Sequence, residues 1–294
     1  MKREKTRMAT FRDMIAGDTP VCTPVVFNPI MAKLAEQAGF KALYLGGGTM
    51  GYVKTVLEAN LTLTEMAQIG MEIRSVCQLP LVLDAATGWG DPMHMRRSIA
   101  MTEAAGFAAI EIEDQIIPKR AHHHIGIEHM IPADLMVEKI KEAIAARTSD
   151  DLVIVGRTNG IRSTDMDDAL KRADAYRAAG ADVIMLSPRS PEEYAFVAER
   201  LAAPLMFNLP AGGLSKFGLT LQDMAAFNCR ILVDPSNPFI AAYKAWRDCY
   251  RAMADGMVTP GFSAEEGTAI QKEMFETIGL EELLEVERRT VEGK

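Results

Sequence analysis

The sequence predicts an α/β protein, a (β/α)8 TIM barrel with an extra C-terminal helical segment, as one domain over residues 1–294. Three observations carry this. Eight short aliphatic runs alternate with helix-length segments along the chain. No linker rich in Pro, Gly or Ser divides them, although a chain of 294 residues would accommodate one domain or two. Each run also ends in a polar residue or a glycine cluster, at the end where such a barrel carries its chemistry. An open doubly wound sheet is the alternative for the same alternation.

The runs are Val21–Phe27, Ala42–Leu45, Leu81–Ala85, Ala108–Ile112, Leu152–Val155, Val183–Leu186, Leu205–Leu209 and Ile231–Val233. Each is almost continuously apolar, the pattern of a parallel strand covered on both faces. Helix punctuation fills the gaps. Asn28-Pro29 supplies a cap and a first-turn proline, and Gly39 stops that helix. Thr64 is placed to cap a helix with Ile69, Ile73 and Val76 on one face. Asp91-Pro92 opens another that ends at Gly106, and Thr164 or Asp165 opens one that ends at Gly180. Beyond the eighth run, Pro238–Met253 and Ala264–Val286 read as helices separated by the breakers of Gly256–Gly261. A barrel needs one closing helix, so the second is surplus.

Composition narrows the function classes. The chain is 48% apolar and 24% charged, with a net charge of −8, which disfavours nucleic acid as a partner. It has no apolar run of membrane-spanning length, and MKREKTRMATFRDM lacks the apolar stretch of a signal peptide. Cys22, Cys77, Cys229 and Cys249 are widely spaced and read as reduced thiols of a cytoplasmic protein.

The strand ends, in order, present Asn28, Gly46–Gly48, Asp84, Glu113-Asp114, Arg157 with Asn159, Ser187, Asn208 and Asp234. Asp84 and Glu113 would repel in a confined mouth unless a cation lay between them. Oxygen ligands of this kind suit Mg²⁺ or Mn²⁺. Arg157 would clamp a substrate carboxylate or phosphonate; a structural ion pair with Asp84 or Glu113 is its other reading. Gly46–Gly51 has the form G-x-G-x-x-G, but Tyr52–Asn60 is not a clean helix and no acid follows at the dinucleotide spacing. A backbone nest for an anionic oxygen is the better reading. His122-His123-His124 and His129 lack the spacing of a zinc site. They lie on a long loop, Ile116–Pro132, of the kind that closes over active sites, where a histidine can serve as acid or base.

Three stretches, LPLVLDAATGWG (79–90), IEIEDQIIPKR (110–120) and VGRTN (155–159), resemble the isocitrate lyase/phosphoenolpyruvate mutase superfamily in order and spacing, from about Phe11 to Met253. The similarity is greatest to its short lyases of 2-methylisocitrate and 2,3-dimethylmalate. It implies a (β/α)8 barrel, Mg²⁺ dependence and an enolate of a 2-oxo acid as intermediate. It also implies a homotetramer, a dimer of dimers, whose helices in 238–294 swap between subunits. By the same resemblance, Asp84 anchors the metal and Glu113 binds it through water. Tyr44 and the amides of Gly46 and Gly47 hold the carboxylate and enolate end of the substrate. Arg157 contacts the reacting oxy-acid, Asn208 the distal group, and Lys119 and Arg120 sit on the gating loop.

The chain departs from the family pattern at telling places. The second acid of the usual Asp-x-Asp is Ala86, and the gate cysteine of the lyases is replaced by Ala121, in the run Lys119-Arg120-Ala121-His122-His123. Ser187 stands where lyases place a glutamate, and Asn159 where an aspartate is frequent. The first expectation is a Mg²⁺-dependent lyase cleaving a carbon–carbon bond of a small 2-hydroxy or 2-oxo dicarboxylate, with Asp84, Lys119, His123 and Arg157 as its catalytic residues and His123 as the acid that replaces the thiol. An oxaloacetate-type decarboxylase or phosphonopyruvate-type enzyme, needing no thiol acid, is the second. A non-catalytic dicarboxylate binder is the third.

Overall fold

The computed structural model describes residues 9–210, 212–256 and 261–292. The first eight residues of the charged N-terminal stretch, and Pro260 in the breaker segment, lie outside them. Eight parallel strands are joined in the order β1-β8-β7-β6-β5-β4-β3-β2. They are β1 (Val21–Pro24), β2 (Leu43–Leu45), β3 (Leu81–Asp84), β4 (Ala109–Glu113), β5 (Val153–Arg157), β6 (Val183–Met185), β7 (Leu205–Asn208) and β8 (Cys229–Asp234). A parallel bridge between Val25 and Tyr44, with Val26 N–H donating to the Tyr44 carbonyl at 2.8 Å, closes the remaining seam. The expected barrel forms, with every predicted strand in place.

The helices are α1 (Phe11–Ile15), α2 (Pro29–Gln37), α3 (Gly47–Val53), α4 (Leu63–Val76), α5 (Met95–Ala104), α6 (Ala133–Ala146), α7 (Gly160–Ser163), α8 (Met166–Ala178), α9 (Pro191–Arg200), α10 (Leu221–Ala226), α11 (Asn237–Ala254), α12 (Ala264–Thr277) and α13 (Leu280–Glu287). Their starts follow side-chain chemistry. Asn28 Oδ1 accepts from Met31 N–H at 3.0 Å, and Asp165 Oδ1 accepts from Asp168 N–H at 2.8 Å, each satisfying an amide that the first turn leaves open. Gly39 and Gly106, at φ +94° and +78°, turn the chain from α2 and α5 toward the next strand in a conformation that a Cβ disfavours.

Two expectations about helices are corrected. The cap of α4 is Thr62, not Thr64, because Thr62 forms a reciprocal capping box with Glu65. The buried face is Leu63, Met66, Ala67, Gly70 and Ile73, with Ile69 half-buried at its edge and Val76 exposed. Ala264–Val286 is not one helix: Gly279, at φ +72°, divides it into α12 and α13.

Side chains alternate across each strand and produce two apolar layers. Outward-facing Leu43, Leu45, Leu81, Leu83, Ile110 and Ile154 pack beneath the helices. Inward-facing Ala42, Val82, Ala109, Val155, Met206 and Val233 fill the lumen, together with Phe11 and Ile15 of α1, which stopper its N-terminal end. The same alternation carries the inward stack to the opposite rim. Asp84 lies two residues beyond Val82, Glu111 and Glu113 beyond Ala109, Arg157 beyond Val155 and Asn208 beyond Met206. The register pairs Asp84 with Glu111, and Glu113 with Arg157. Strand pairing therefore fixes which charged groups become neighbours.

Candidate active site

The polar floor of the mouth is built on β2 to β5. Glu111, fully buried, accepts from Tyr44 Oη at 2.9 Å and from Arg157 Nη1 at 2.7 Å. Burial raises its carboxyl to about 7, with the charge of Asp84 adding to the rise and Arg157 opposing it. Burial likewise pushes the Tyr44 phenol well above its ordinary value, followed by the charges of Asp84 and Glu111. Two positions nearer the rim, Glu113 accepts from Asn159 Nδ2 at 2.9 Å and lies 3.4 Å from Arg157 Nε. Burial would raise Glu113, yet the charges of Lys119 and Arg157 outweigh it and hold the group below the usual carboxylate range. The structural ion pair weighed for Arg157 is therefore present, with Glu111 as its closer partner.

Asp84 Oδ2 accepts from Gly47 N–H at 2.9 Å and Oδ1 from Ala86 N–H at 2.9 Å. The Gly47 amide, expected to reach for a substrate oxygen, thus already holds Asp84 in place. Gly47 also opens α3 directly after β2, so a helix does follow the glycine run at once; it is only seven residues long. Ala86 occupies the left-handed region at φ +46°, a strained setting for alanine that asparagine and aspartate tolerate better. Its carbonyl accepts from Glu113 N–H at 2.8 Å, which ties the turn after β3 to the end of β4.

The loop following β4 supplies the third wall. Its Lys119 ammonium is buried and bridges Glu58 and Glu113. Burial pulls this lysine down, but Glu113 and Glu58 more than compensate and raise it. Glu58 sits on a single 3-10 turn, Glu58–Asn60, between α3 and α4. It is a site residue that sequence reasoning missed, since an acid in an irregular turn carries no periodic signal. Glu111 was also missed, although a glutamate inside an apolar strand is itself a signal that something must neutralise it. His123 Nδ1 lies 2.7 Å from Glu128 Oε2, and its Nε2 is 3.6 Å from Glu58 Oε1. His122 Nδ1 and His129 Nε2 pair with each other at 2.9 Å, away from the floor. Arg120 is exposed on the same loop.

The remaining strand-end residues divide by role. Asn28 caps α2, and Asp234 accepts from Ser236 N–H and Asn237 N–H at the start of α11, so both serve local structure. Asp114 accepts from Thr158 Oγ1, Tyr176 Oη and Asn159 N–H, anchoring the turn after β5. Ser187 is half-buried. Asn208 Oδ1 is buried without a hydrogen-bond partner, an acceptor on the lumen side of β7.

The donor set suits a hard divalent cation. Glu58, Asp84, Glu111 and Glu113 face two cationic groups: Lys119, which meets Glu58 Oε1 and Glu113 Oε1, and Arg157. Among the described residues no group of three or more His, Cys, Asp or Glu side chains is arranged to hold a metal ion. An ion held by one or two carboxylates and otherwise by water needs no such cage.

Residues 11–254 match the family model described as phosphoenolpyruvate phosphomutase. The 2-methylisocitrate lyase of Aeropyrum pernix is 36% identical over 236 residues, covering 80% of this chain and 75% of that protein. The 2,3-dimethylmalate lyase of Eubacterium barkeri is 30% identical over 289 residues, covering 97% and 99%. Among solved structures, a phosphonopyruvate hydrolase complex with oxalate and Mg²⁺ superposes with a TM-score of 0.83 at 29% identity, covering 95% of this chain and 97% of that one. Barrel, motif order and these likenesses agree, and the chain belongs to the phosphoenolpyruvate mutase/isocitrate lyase superfamily.

Proposed function

We propose that this protein is a divalent-metal-dependent lyase that cleaves a carbon–carbon bond of a small 2-hydroxy or 2-oxo dicarboxylic acid. The observation that supports this most directly is the excess of carboxylates over cations on a floor closed by a histidine-bearing loop. Mg²⁺ or Mn²⁺, held by Asp84 with Glu113 reaching it through water, would supply positive charge against a developing enolate oxygen. Arg157, oriented by Glu111 and Asn159, directs its remaining N–H groups at a substrate carboxylate. Asn208 Oδ1, the unpartnered acceptor, marks one end of the bound acid, while Tyr44 and the Gly47 amide serve the other end through Glu111 and Asp84, to which they donate. Lys119 screens Glu113 and Glu58 from each other. His123 is the residue of the gate that can hand a proton to the departing carbanion, the task left open by Ala121.

Bond cleavage without a gate thiol invites a second reading, supported by Ala121 and by the likeness to a phosphonopyruvate hydrolase: a decarboxylase of an oxaloacetate-type acid, or an enzyme of a phosphonopyruvate-type acid. A homo-oligomer fits both readings, because α11 and α12 expose Ile240, Tyr243, Tyr250, Ile270 and Met274, apolar faces that a second copy would cover. No helix among the described residues is long and apolar enough to cross a membrane, and the four cysteines are unpaired thiols, which suits a reducing cytoplasm.

A proton NMR time course with Mg²⁺ tests the assignment, using 2-methylisocitrate, isocitrate, 2,3-dimethylmalate, oxaloacetate and phosphonopyruvate, with and without chelator. Chelator-sensitive release of a 2-oxo acid from a hydroxy-acid supports the lyase. Turnover confined to oxaloacetate or phosphonopyruvate supports the second reading. No turnover of any of the five overturns both.

A further inference from the structure

The gate contains a buried acid that the reaction as described leaves unused. The Glu128 side chain is 0% exposed, and the guanidinium nitrogen beside it, Arg162 Nη1, stands 3.9 Å away on a side chain that is 42% exposed. An ionised carboxylate in such a place is costly unless a hydrogen-bond donor or a cation meets it. The groups that do meet it are His123 Nδ1, 2.7 Å from Oε2 and 2.9 Å from Oε1, and Gln115 Nε2, which donates to Oε2.

These contacts determine where the imidazole proton sits. A carboxylate oxygen only accepts, so the Nδ1 atom facing it must carry hydrogen. Gln115 Nε2 and His123 Nδ1, 2.8 Å apart, are then both donors converging on one acid. The ring's other nitrogen, Nε2, is left to point at the floor, 3.6 Å from Glu58 Oε1. The backbone makes this arrangement rigid. Gln115 bridges to Met130 in antiparallel fashion, Ile116 N–H donates to the His129 carbonyl at 2.8 Å, and Ile131 N–H donates to the Asp114 carbonyl at 2.8 Å. Glu128 is thus carried on the returning limb of the gate, next to the strand end that carries Gln115.

We propose that Glu128, aimed by Gln115, is the positioning residue of the gate: it accepts a hydrogen bond from His123 Nδ1–H, keeps the resting proton on that nitrogen, and leaves Nε2 to take the proton of the substrate hydroxyl and return it to the departing carbanion. The catalytic part of this inference rests on His123 as the proton-transfer residue; the tautomer does not. The logic is that of a carboxylate orienting an imidazole whose far nitrogen does the chemistry.

Protein labelled with ¹⁵N-histidine tests it, because long-range ¹H–¹⁵N correlations distinguish an Nδ1–H from an Nε2–H imidazole. The His123 signals are identified by their loss in His123→Gln. The expected wild-type pattern is Nδ1–H. In Glu128→Gln it moves toward Nε2–H, and Glu128→Asp retains part of the Nδ1–H character. Turnover in Glu128→Gln falls about 10- to 100-fold in kcat, with KM within about twofold. An Nε2–H pattern in the wild-type protein, which needs no variant to fold, overturns the proposal, as does an unchanged pattern in Glu128→Gln. If the tautomer responds while His123→Gln and Glu128→Gln turn over at the wild-type rate, the orientation by Glu128 stands and the catalytic reading of His123 falls.

Discussion

Tyr44 Oη and Arg157 Nη1 hold the two oxygens of Glu111, at 2.9 Å and 2.7 Å, so a single carboxylate on β4 ties side chains of β2 and β5 together beneath the mouth. Removing it leaves a buried guanidinium with one carboxylate neighbour, Glu113 at 3.4 Å, and a buried phenol without an acceptor. Glu111→Ala is expected to lower the unfolding free energy by about 3–5 kcal/mol, the range for breaking a buried pair from one side. Glu111→Gln, which keeps an acceptor for Arg157, should lose only about 1–2 kcal/mol. Urea unfolding of the two variants checks the difference, and equal losses would contradict it.

Lys139 provides a pH signature. Its ammonium is buried on α6 and donates to the Thr87 carbonyl, and burial lowers it from the ordinary lysine value of 10.5 to about 8. Between pH 8 and 10.5 the folded protein has released this proton while the unfolded chain still binds it, so this group makes stability rise with pH in that window. The expected contribution is on the order of 3 kcal/mol. Chemical denaturation at pH 7.5 and pH 10.5 should show that Lys139→Met lacks this part of the wild-type dependence.

Gly51 faces the turn that carries Glu58. A Cβ there would lie 2.7 Å from the Glu58 backbone nitrogen and 3.0 Å from the Leu57 carbonyl carbon, neither of which can rotate away. The helix-propensity gain of Gly51→Ala, about 1 kcal/mol, is therefore outweighed by crowding of about 1–3 kcal/mol. Glu58 should shift from Lys119 as the turn yields. A lower melting temperature together with reduced turnover is the expected result; a more stable variant of full activity would refute it.

Metal binding has a readout independent of substrate. With Mg²⁺ at a hundredfold excess over its Kd, the folded state should gain about 2.7 kcal/mol, seen as a rise in melting temperature that chelator reverses. Asp84→Asn can still accept from the Gly47 amide yet offers a neutral oxygen to the ion, so the Mg²⁺-induced rise should vanish. A rise of the same size in that variant would place the ion elsewhere.

Much of this architecture was legible in the residues. Strands buried on both faces must be apolar throughout, so runs such as LVL at 81–83 and VIV at 153–155 stood out, and the polar residue ending each run led to Asp84, Glu113 and Arg157. Glu111 was hidden by that same reasoning, because it lies inside a run read as uniformly apolar; the inward alternation that exposes it depends on which face looks into the lumen. Glu58 and Glu128 reach the site from irregular segments far along the chain, and their partners are set by loop conformation, not by spacing. The capping of α4 turned on two adjacent candidates, Thr62 and Thr64, and the reciprocal contact with Glu65 decided for the first.

The stopper formed by Phe11 and Ile15 has a kinetic consequence. With the far end of the barrel plugged, the mouth serves as both entrance and exit, and two fragments of one cleaved molecule must leave through it in sequence. On the proposed function, the fragment nearer the gate would depart first, while one seated among Glu111, Asp84 and Arg157 would wait behind it. Product inhibition should carry that asymmetry: competitive with substrate for the deep fragment, and noncompetitive for the shallow one.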